Sequence, residues 1–103
     1  MALPEMTDEQ RMQALAKAAE ARRTRAEIKE LLRTGSLRLS EVLARAETDE
    51  IVAGTKVQPL LVALPGLGKV KAKRTMEEFS IAENRRIRGL GSRQREALLD
   101  RFG

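Results

Sequence analysis

Two glycine-containing turns with cationic side chains beside them are the parts of this sequence best suited to binding a ligand. Lysines follow the first turn and arginines precede the second. A helix is expected to begin just after each turn, and the exposed N–H groups of a helix start, flanked by Lys and Arg, bind phosphate. The candidate residues are Gly66, Gly68, Lys69, Lys71, Lys73, Arg85, Arg86, Arg88, Gly89, Gly91 and Arg93.

The spacing around the first turn excludes two nucleotide-binding motifs. A P-loop needs Ser or Thr after its lysine, but Val70 follows Lys69 here, and no strand precedes the glycines as a dinucleotide fingerprint requires. The remaining pattern is an apolar helix, a Pro-Gly-x-Gly turn and a basic helix, which is typical of a helix-hairpin-helix. In that motif glycine permits a positive φ and close approach to a phosphate. A simple helix–helix turn is the alternative.

The second turn follows three arginines within four residues, Arg85, Arg86 and Arg88. The planar guanidinium binds phosphate in bidentate fashion and can enter a narrow, electronegative minor groove. We expect Ile87 to enter the core and to direct these arginines outward. A solvated loop is the alternative.

Composition favours a polyanion as the partner and gives no sign of catalysis. The chain has a net charge of +5 and a pI of about 10.2, and residues 69–95 contain nine basic and three acidic residues. Nucleic acid or an anionic membrane surface would match this charge. There is no Cys or His, so thiolate metal sites and the commonest general base are absent, and only two Phe could stack bases. We expect no enzyme activity, metal or cofactor.

The elements that must position these residues are all helical. No stretch shows the alternation of an exposed strand, and we expect a long N-terminal helix packed on a compact four-helix region. Ser40 and Ser92 are the expected N-caps of the second and last helices, Ile51 and Val52 are expected to pack from a connecting turn, and Val70 is expected to make apolar contacts. The expected helices are Asp8–Arg33, one within Ser36–Glu47, Val57–Leu64, Lys69–Phe79 and Ser92–Phe102.

The long first helix is uneven. Ile28 and Leu32 near its end can pack, but residues 16–27 include no apolar side chain larger than alanine, so the first half is expected to project from the core or lie against a partner. Its basic residues Arg22, Arg23 and Arg25 form either a second nucleic-acid contact or a solvated face.

At 103 residues the chain is expected to form one structural domain. Within it, residues 1–55 would supply the long basic helix and a short helix, and residues 56–103 the binding module. No apolar run is long enough to span a bilayer, and Met1–Glu5 lacks a signal region, with Leu3–Pro4 as an extended lead-in. A cytoplasmic location is the expectation.

Several motifs, in this order, resemble the actinobacterial integration host factors over essentially the whole chain. They are Ala2–Pro4, Thr7–Arg11, the Ala-rich basic helix, the helix from Lys56, Leu64–Ala72 and Arg85–Gly91. The resemblance implies a nucleoid-associated protein with a helix-two-turn-helix module, as in ribosomal protein S13 and certain DNA glycosylases. It also implies binding of double-stranded DNA with little sequence preference, DNA bending or compaction, and support of recombination by phage integrase. Pro59 departs from the expected pattern and affects where its helix begins.

The leading hypothesis is therefore a monomeric, architectural DNA-binding protein. An RNA-binding, ribosome-associated protein is the alternative that the S13-like module suggests. A protein-interaction module built on amphipathic helices is a further alternative. A glycosylase is disfavoured, because no catalytic domain or base-flipping pocket is indicated.

Overall fold

The protein is all-α, as the sequence predicts. The computed structural model describes residues 6–103, and in that range it contains no strand and one short 3₁₀ helix, Ile87–Gly89. The expected lead-in at Leu3–Pro4 lies outside the described residues. Over residues 6–103 the helices are α1 Asp8–Arg33, α2 Leu39–Arg45, α3 Glu50–Ala53, α4 Val57–Ala63, α5 Gly68–Glu78 and α6 Ser92–Phe102.

Both ends of α1 follow from its sequence. The Thr7 hydroxyl accepts a hydrogen bond from the Gln10 N–H at 3.1 Å, and the Gln10 side chain accepts from the Thr7 N–H at 3.0 Å. This reciprocal capping box satisfies two N–H groups that a helix start leaves unpaired. At the other end Gly35 adopts a φ of 78°, and the Ser36 N–H closes the turn on the Leu31 carbonyl at 2.9 Å.

The region between α1 and α4 differs from expectation. The expected turn that contains Ile51 and Val52 is an additional short helix, α3, because the Asp49 carboxylate accepts hydrogen bonds from both of their N–H groups. Five helices, rather than four, therefore follow α1 in the described chain. Ser40 is not the N-cap of α2: that position is Arg38, two residues earlier, and the helix begins at Leu39. The Glu41 carboxylate accepts a hydrogen bond from the Arg38 N–H at 3.0 Å.

One continuous apolar core joins the two halves of the chain. It contains Leu32 from α1, Val42 from α2, Leu61 from α4 and Leu98 from α6, all with no exposed surface. The core contains residues from both sides of residue 55, and the organisation as one domain with parts 1–55 and 56–103 remains a prediction. Residues 8–18 of α1 are all exposed, so its first half projects as expected.

Two further sequence expectations are wrong. Val70 does not pack: it is 67% exposed, and α5 buries Ala72 and Met76 instead. Ser92 does not cap α6. Gly91 occupies the N-cap position, and the Gln94 side chain accepts a hydrogen bond from its N–H at 2.9 Å. Pro59 lies in the first turn of α4, where the missing N–H costs no helix hydrogen bond.

Truncation of the core should reveal how strongly stability depends on it. Leu61→Ala is expected to lower the free energy of unfolding by about 2–5 kcal/mol, since a buried leucine loses its contacts and leaves a cavity. Leu15→Ala is the matched control, because Leu15 is 62% exposed, and its effect should stay within about 0.5 kcal/mol. Urea unfolding followed by circular dichroism measures both; equal losses would contradict this core assignment.

Candidate nucleic-acid interface

A main-chain clasp connects the second basic segment to the start of α4. The Val57 N–H donates to the Arg85 carbonyl at 2.9 Å, and the Ile87 N–H donates to the Thr55 carbonyl at 3.0 Å. These bonds form an antiparallel bridge centred on Lys56 and Arg86. The Ile87 side chain is 2% exposed and lies in the core, as predicted. Backbone pairing and burial together hold the arginines of this segment at the surface beside Gly54.

Two of the three arginines, Arg86 and Arg88, lie close to Gly54 in the α3–α4 turn. The Arg86 guanidinium donates to the Gly54 carbonyl. Nη1 of Arg88 lies 3.7 Å from the position that a Cβ on Gly54 would occupy. Arg88 is exposed, and no hydrogen bond or ion pair within residues 6–103 occupies its guanidinium. Arg86 is therefore positioned by the protein, while Arg88 keeps all its donors available for a ligand.

A cationic groove runs between α1 and this segment. Its larger part has a volume of about 730 Å³ and is lined by Lys17 and Arg25 from α1 together with Arg86 and Arg88. Glu50 is the only acidic residue among the described residues that line this part. An adjoining part of about 310 Å³ shares Arg25 and Arg86 and adds two lysines, Lys29 and Lys56. We call this surface the α1 groove; its charge suits a polyanion.

Arg25 is the residue of the α1 groove that most clearly lacks a partner. Its Nε is buried from solvent, yet no acceptor within the described residues bonds to it. A buried donor without a partner costs roughly 1–3 kcal/mol, more when charged. The groove therefore contains a guanidinium whose donors the described residues do not fully satisfy.

The first glycine turn has the predicted backbone. Gly66 and Gly68 have φ values of 77° and 72°, in the left-handed region that glycine adopts without strain. Both are exposed at the end of α4 opposite to the main-chain clasp. Because α4 has seven residues, about 10 Å of helix separates the two basic segments.

The lysines after this turn do not form one cluster. Lys69 and Lys73 are four residues apart on α5 and share a face, whereas Lys71 projects from the other side. Lys71 instead lines a pocket with Arg74 and Arg101 near the C-terminal helix. The three lysines, which were expected to bind one phosphate strand together, therefore lie on two different faces of α5.

The second glycine turn works differently from the first. Neither Gly89 nor Gly91 has a positive φ. Gly89 is needed for space, because a Cβ there would lie 2.9 Å from Cδ of Arg85. Arg85 donates to the Gly89 carbonyl at 2.7 Å and to Oε1 of Gln94 at 3.4 Å, so it braces the turn.

Gln94 is a structural residue that the sequence analysis missed. Its Oε1 accepts from the Gly91 N–H, and its Nε2 donates to the Ser80 carbonyl at 2.8 Å. It therefore joins the end of α5, the arginine segment and α6. The spacing of a glutamine three residues after an N-cap was the signal that could have identified it.

Arg22, Arg23 and Arg25, which the sequence analysis treats as one basic group, do not lie in the same surroundings. Arg25 is partly buried in the α1 groove, while Arg22 and Arg23 are exposed outside it. Arg93 is exposed on the first turn of α6, and within the described chain it makes no ion pair.

Residues 6–103 contain neither a metal-binding cluster nor a membrane-spanning helix. No group of three or more acidic side chains could hold a metal ion there. No helix in that range is both long and apolar enough to cross a bilayer.

The fold and the groove define a class of protein: a small helical chain that carries an S13-like H2TH domain, whose family model matches residues 32–102. The chain belongs to the integration host factor family. It is 58% identical to the integration host factor of Mycobacterium tuberculosis over 103 residues, covering 100% of this chain and 98% of that protein. The Streptomyces coelicolor integration host factor is 50% identical over 103 residues, covering 100% and 96%.

A solved structure supports the same assignment. The structure of sIHF bound to an 8-bp palindromic DNA matches with a TM-score of 0.82 and 46% sequence identity. The match covers 85% of this chain and 99% of that chain. The family is one of non-enzymatic architectural proteins, which agrees with the sequence expectation.

The two glycine turns should respond differently to alanine. Gly66→Ala places a Cβ on a backbone with a φ of 77°, which costs about 1–2 kcal/mol of stability. Gly91→Ala is the comparison in the second turn: its φ of −73° accommodates a Cβ, and the expected loss of up to about 1 kcal/mol comes from alanine being a poorer N-cap than glycine. Gly66→Asn separates the two causes, since asparagine tolerates the left-handed region and should lose less stability than Gly66→Ala. Thermal unfolding compares the three variants. A neutral Gly66→Ala would show that the first turn does not need the left-handed conformation.

Proposed function

We propose that this protein is an architectural binder of double-stranded DNA and that the α1 groove faces the duplex. The observation that carries the proposal is the concentration of cations there, with the buried, unpartnered Nε of Arg25 among them. Membership of the integration host factor family and the DNA-bound sIHF structure support it. The residues that would contact phosphates in the groove are Lys17, Arg25, Lys29, Lys56, Arg86 and Arg88.

The first glycine turn would add a separate phosphate contact. The amides around Gly66 and Gly68 and the side chains of Lys69 and Lys73 lie about 10 Å from the arginine segment along α4. Contacts at both ends of α4 would fix the duplex in orientation, with Lys71 and Arg93 contributing only at the edges. Phosphate contacts carry little base information, so preference among sites would come from DNA shape and deformability, as suits a protein that bends or compacts DNA.

RNA remains a testable second partner because the H2TH domain is S13-like. The support is weaker than for DNA, since the matched solved structure contains DNA. Competition between DNA and RNA duplexes of equal length separates the two, because A-form RNA has a deep, narrow major groove and a shallow minor one. Preference for the RNA duplex would overturn the DNA assignment.

The proposed cellular role rests on membership of the integration host factor family. We infer a cytoplasmic location on the nucleoid, a monomer when free, and support of site-specific recombination with phage integrase as a partner. Arg22 and Arg23, outside the α1 groove, would contact a second duplex segment and so promote compaction.

The salt dependence of binding tests the arginine segment. Contact with about six phosphates predicts a slope of log K against log salt near −5, and Arg88→Ala should weaken binding and make the slope shallower by about 0.9. Arg45→Ala is the charge-matched control: Arg45 is exposed at the end of α2 and does not line the groove. Fluorescence anisotropy with a labelled duplex measures both slopes. Equal effects of the two substitutions would indicate general charge attraction rather than a defined site.

A second experiment separates the α1 groove from the outer face of α1. Arg25→Ala should weaken binding to a short duplex, whereas Arg22→Ala with Arg23→Ala should leave that affinity mostly intact and reduce compaction of long DNA. Anisotropy reports the first property and single-molecule extension the second. If Arg25→Ala binds the short duplex as tightly as the unsubstituted protein, α1 is not part of the primary interface. If the double variant compacts long DNA as before, Arg22 and Arg23 form a solvated face and contact no second duplex.

A further inference from the structure

The projecting half of α1 carries a narrow apolar stripe that nothing in the described chain covers. Met12 is 71% exposed and Leu15 is 62% exposed. Ala19 and Ala26 continue the same line along the helix. The steps from Met12 to Leu15 and from Leu15 to Ala19, three and four residues, are those of a seam between paired helices. The next position on the line is Arg22, and Ala26 follows it.

The stripe faces away from both the core and the α1 groove. At about 100° per residue, the groove-lining residues Ala18, Ala21 and Arg25 all point at least about 120° away from Met12. Ala18 lies about 60° from Leu15, which is the part of the stripe nearer the groove. The core-facing residues Ile28 and Leu32 lie on the same side as Ala21. A partner on the stripe would therefore leave the groove open.

Charge along α1 identifies which partner fits the stripe. Acidic Asp8 and Glu9 lie at the start of the helix. Two turns beyond Leu15, basic Arg22 lies on the line of the stripe and Arg23 lies beside it. In an antiparallel pairing of two α1 helices centred on Leu15, Asp8 of each copy lies opposite Arg22 of the other. The Asp8 carboxylate and the Arg22 guanidinium thus meet at both ends of the seam. A parallel pairing would instead place Asp8 beside Asp8 and Arg22 beside Arg22. In the paired state Arg23 is then the residue of the two arginines that stays available to a second duplex segment.

We propose that two copies of this chain pair through antiparallel α1 helices, with Met12, Leu15 and Ala19 in the seam. The seam is short and rich in alanine, so the free chain stays monomeric at low concentration. Binding of two copies to one DNA molecule raises their effective concentration and populates the pair. This last step rests on the proposed DNA binding, and pairing would let one protein pair hold two duplex segments.

Disulfide trapping tests the pairing directly, because the chain contains no cysteine and a single introduced thiol is unique. A residue at the two-fold axis meets its own copy, so Leu15→Cys should form a covalent dimer under mild oxidation. Gln13→Cys is the control, exposed and about 160° away from Leu15 on the same helix. We expect about tenfold more dimer from Leu15→Cys on a long duplex than in its absence, and little dimer from Gln13→Cys in either case.

Disulfide trapping of the DNA-free protein at high concentration tests the pairing independently of DNA binding. Leu15→Cys should again exceed Gln13→Cys there, whether or not the protein occupies DNA. Equal yields from the two variants, or no dimer from Leu15→Cys, would overturn the pairing even if anisotropy shows full duplex binding.

A second variant reports the consequence for DNA. Met12→Glu combined with Leu15→Glu places charges on an already exposed surface, so the fold and short-duplex affinity should be unchanged. Bridging of two duplexes, measured by pull-down of a labelled duplex with a bead-bound one, should fall about tenfold if pairing supplies the avidity. Unchanged bridging would overturn the proposed role of the stripe.

Discussion

The structure depends most on the main-chain clasp between Thr55–Val57 and Arg85–Ile87. It joins the start of α4 to a segment that otherwise has little regular structure. Burial of Ile87 stabilises the clasp from the core side, and the bond from Arg86 to the Gly54 carbonyl stabilises it from the surface. The arginines are thus presented from a braced backbone, which lowers the ordering cost of binding a ligand.

Local signals in the sequence were sufficient for most of the fold. The capping residues Thr7 and Gln10 and the glycine at position 35 set the limits of α1 correctly, because each acts within a few residues of itself. The failures have a different origin. The expectation for Val70 is wrong because it rests on side-chain type and not on the helical period: at about 100° per residue Val70 lies about 120–180° away from Ala72, Met76 and Phe79, the apolar face of α5 that packs. Asp49 could have been recognised as an N-cap, and α3 with it.

The sequence predicted several of the basic residues that belong to the candidate site, but not how they are arranged in space. The sequence identified the arginine segment and, separately, the basic residues of α1; only the fold brings Arg25 into one groove with Arg86 and Arg88. The two glycine turns looked alike in sequence, yet the first uses a positive φ and the second uses the lack of a side chain beside Arg85. Such differences arise from neighbours distant along the chain, so spacing alone does not reveal them.

The central claim is that the α1 groove, between α1 and the clasp, faces the duplex. The most direct test follows backbone amide shifts in the NMR spectrum of ¹⁵N-labelled protein as a short DNA duplex is added. We predict the largest changes at Gly54, Thr55 and Arg88, with smaller ones around Gly68. Changes concentrated instead on the α2–α6 face, at Ser40 and Arg45, would place the DNA elsewhere and contradict the account.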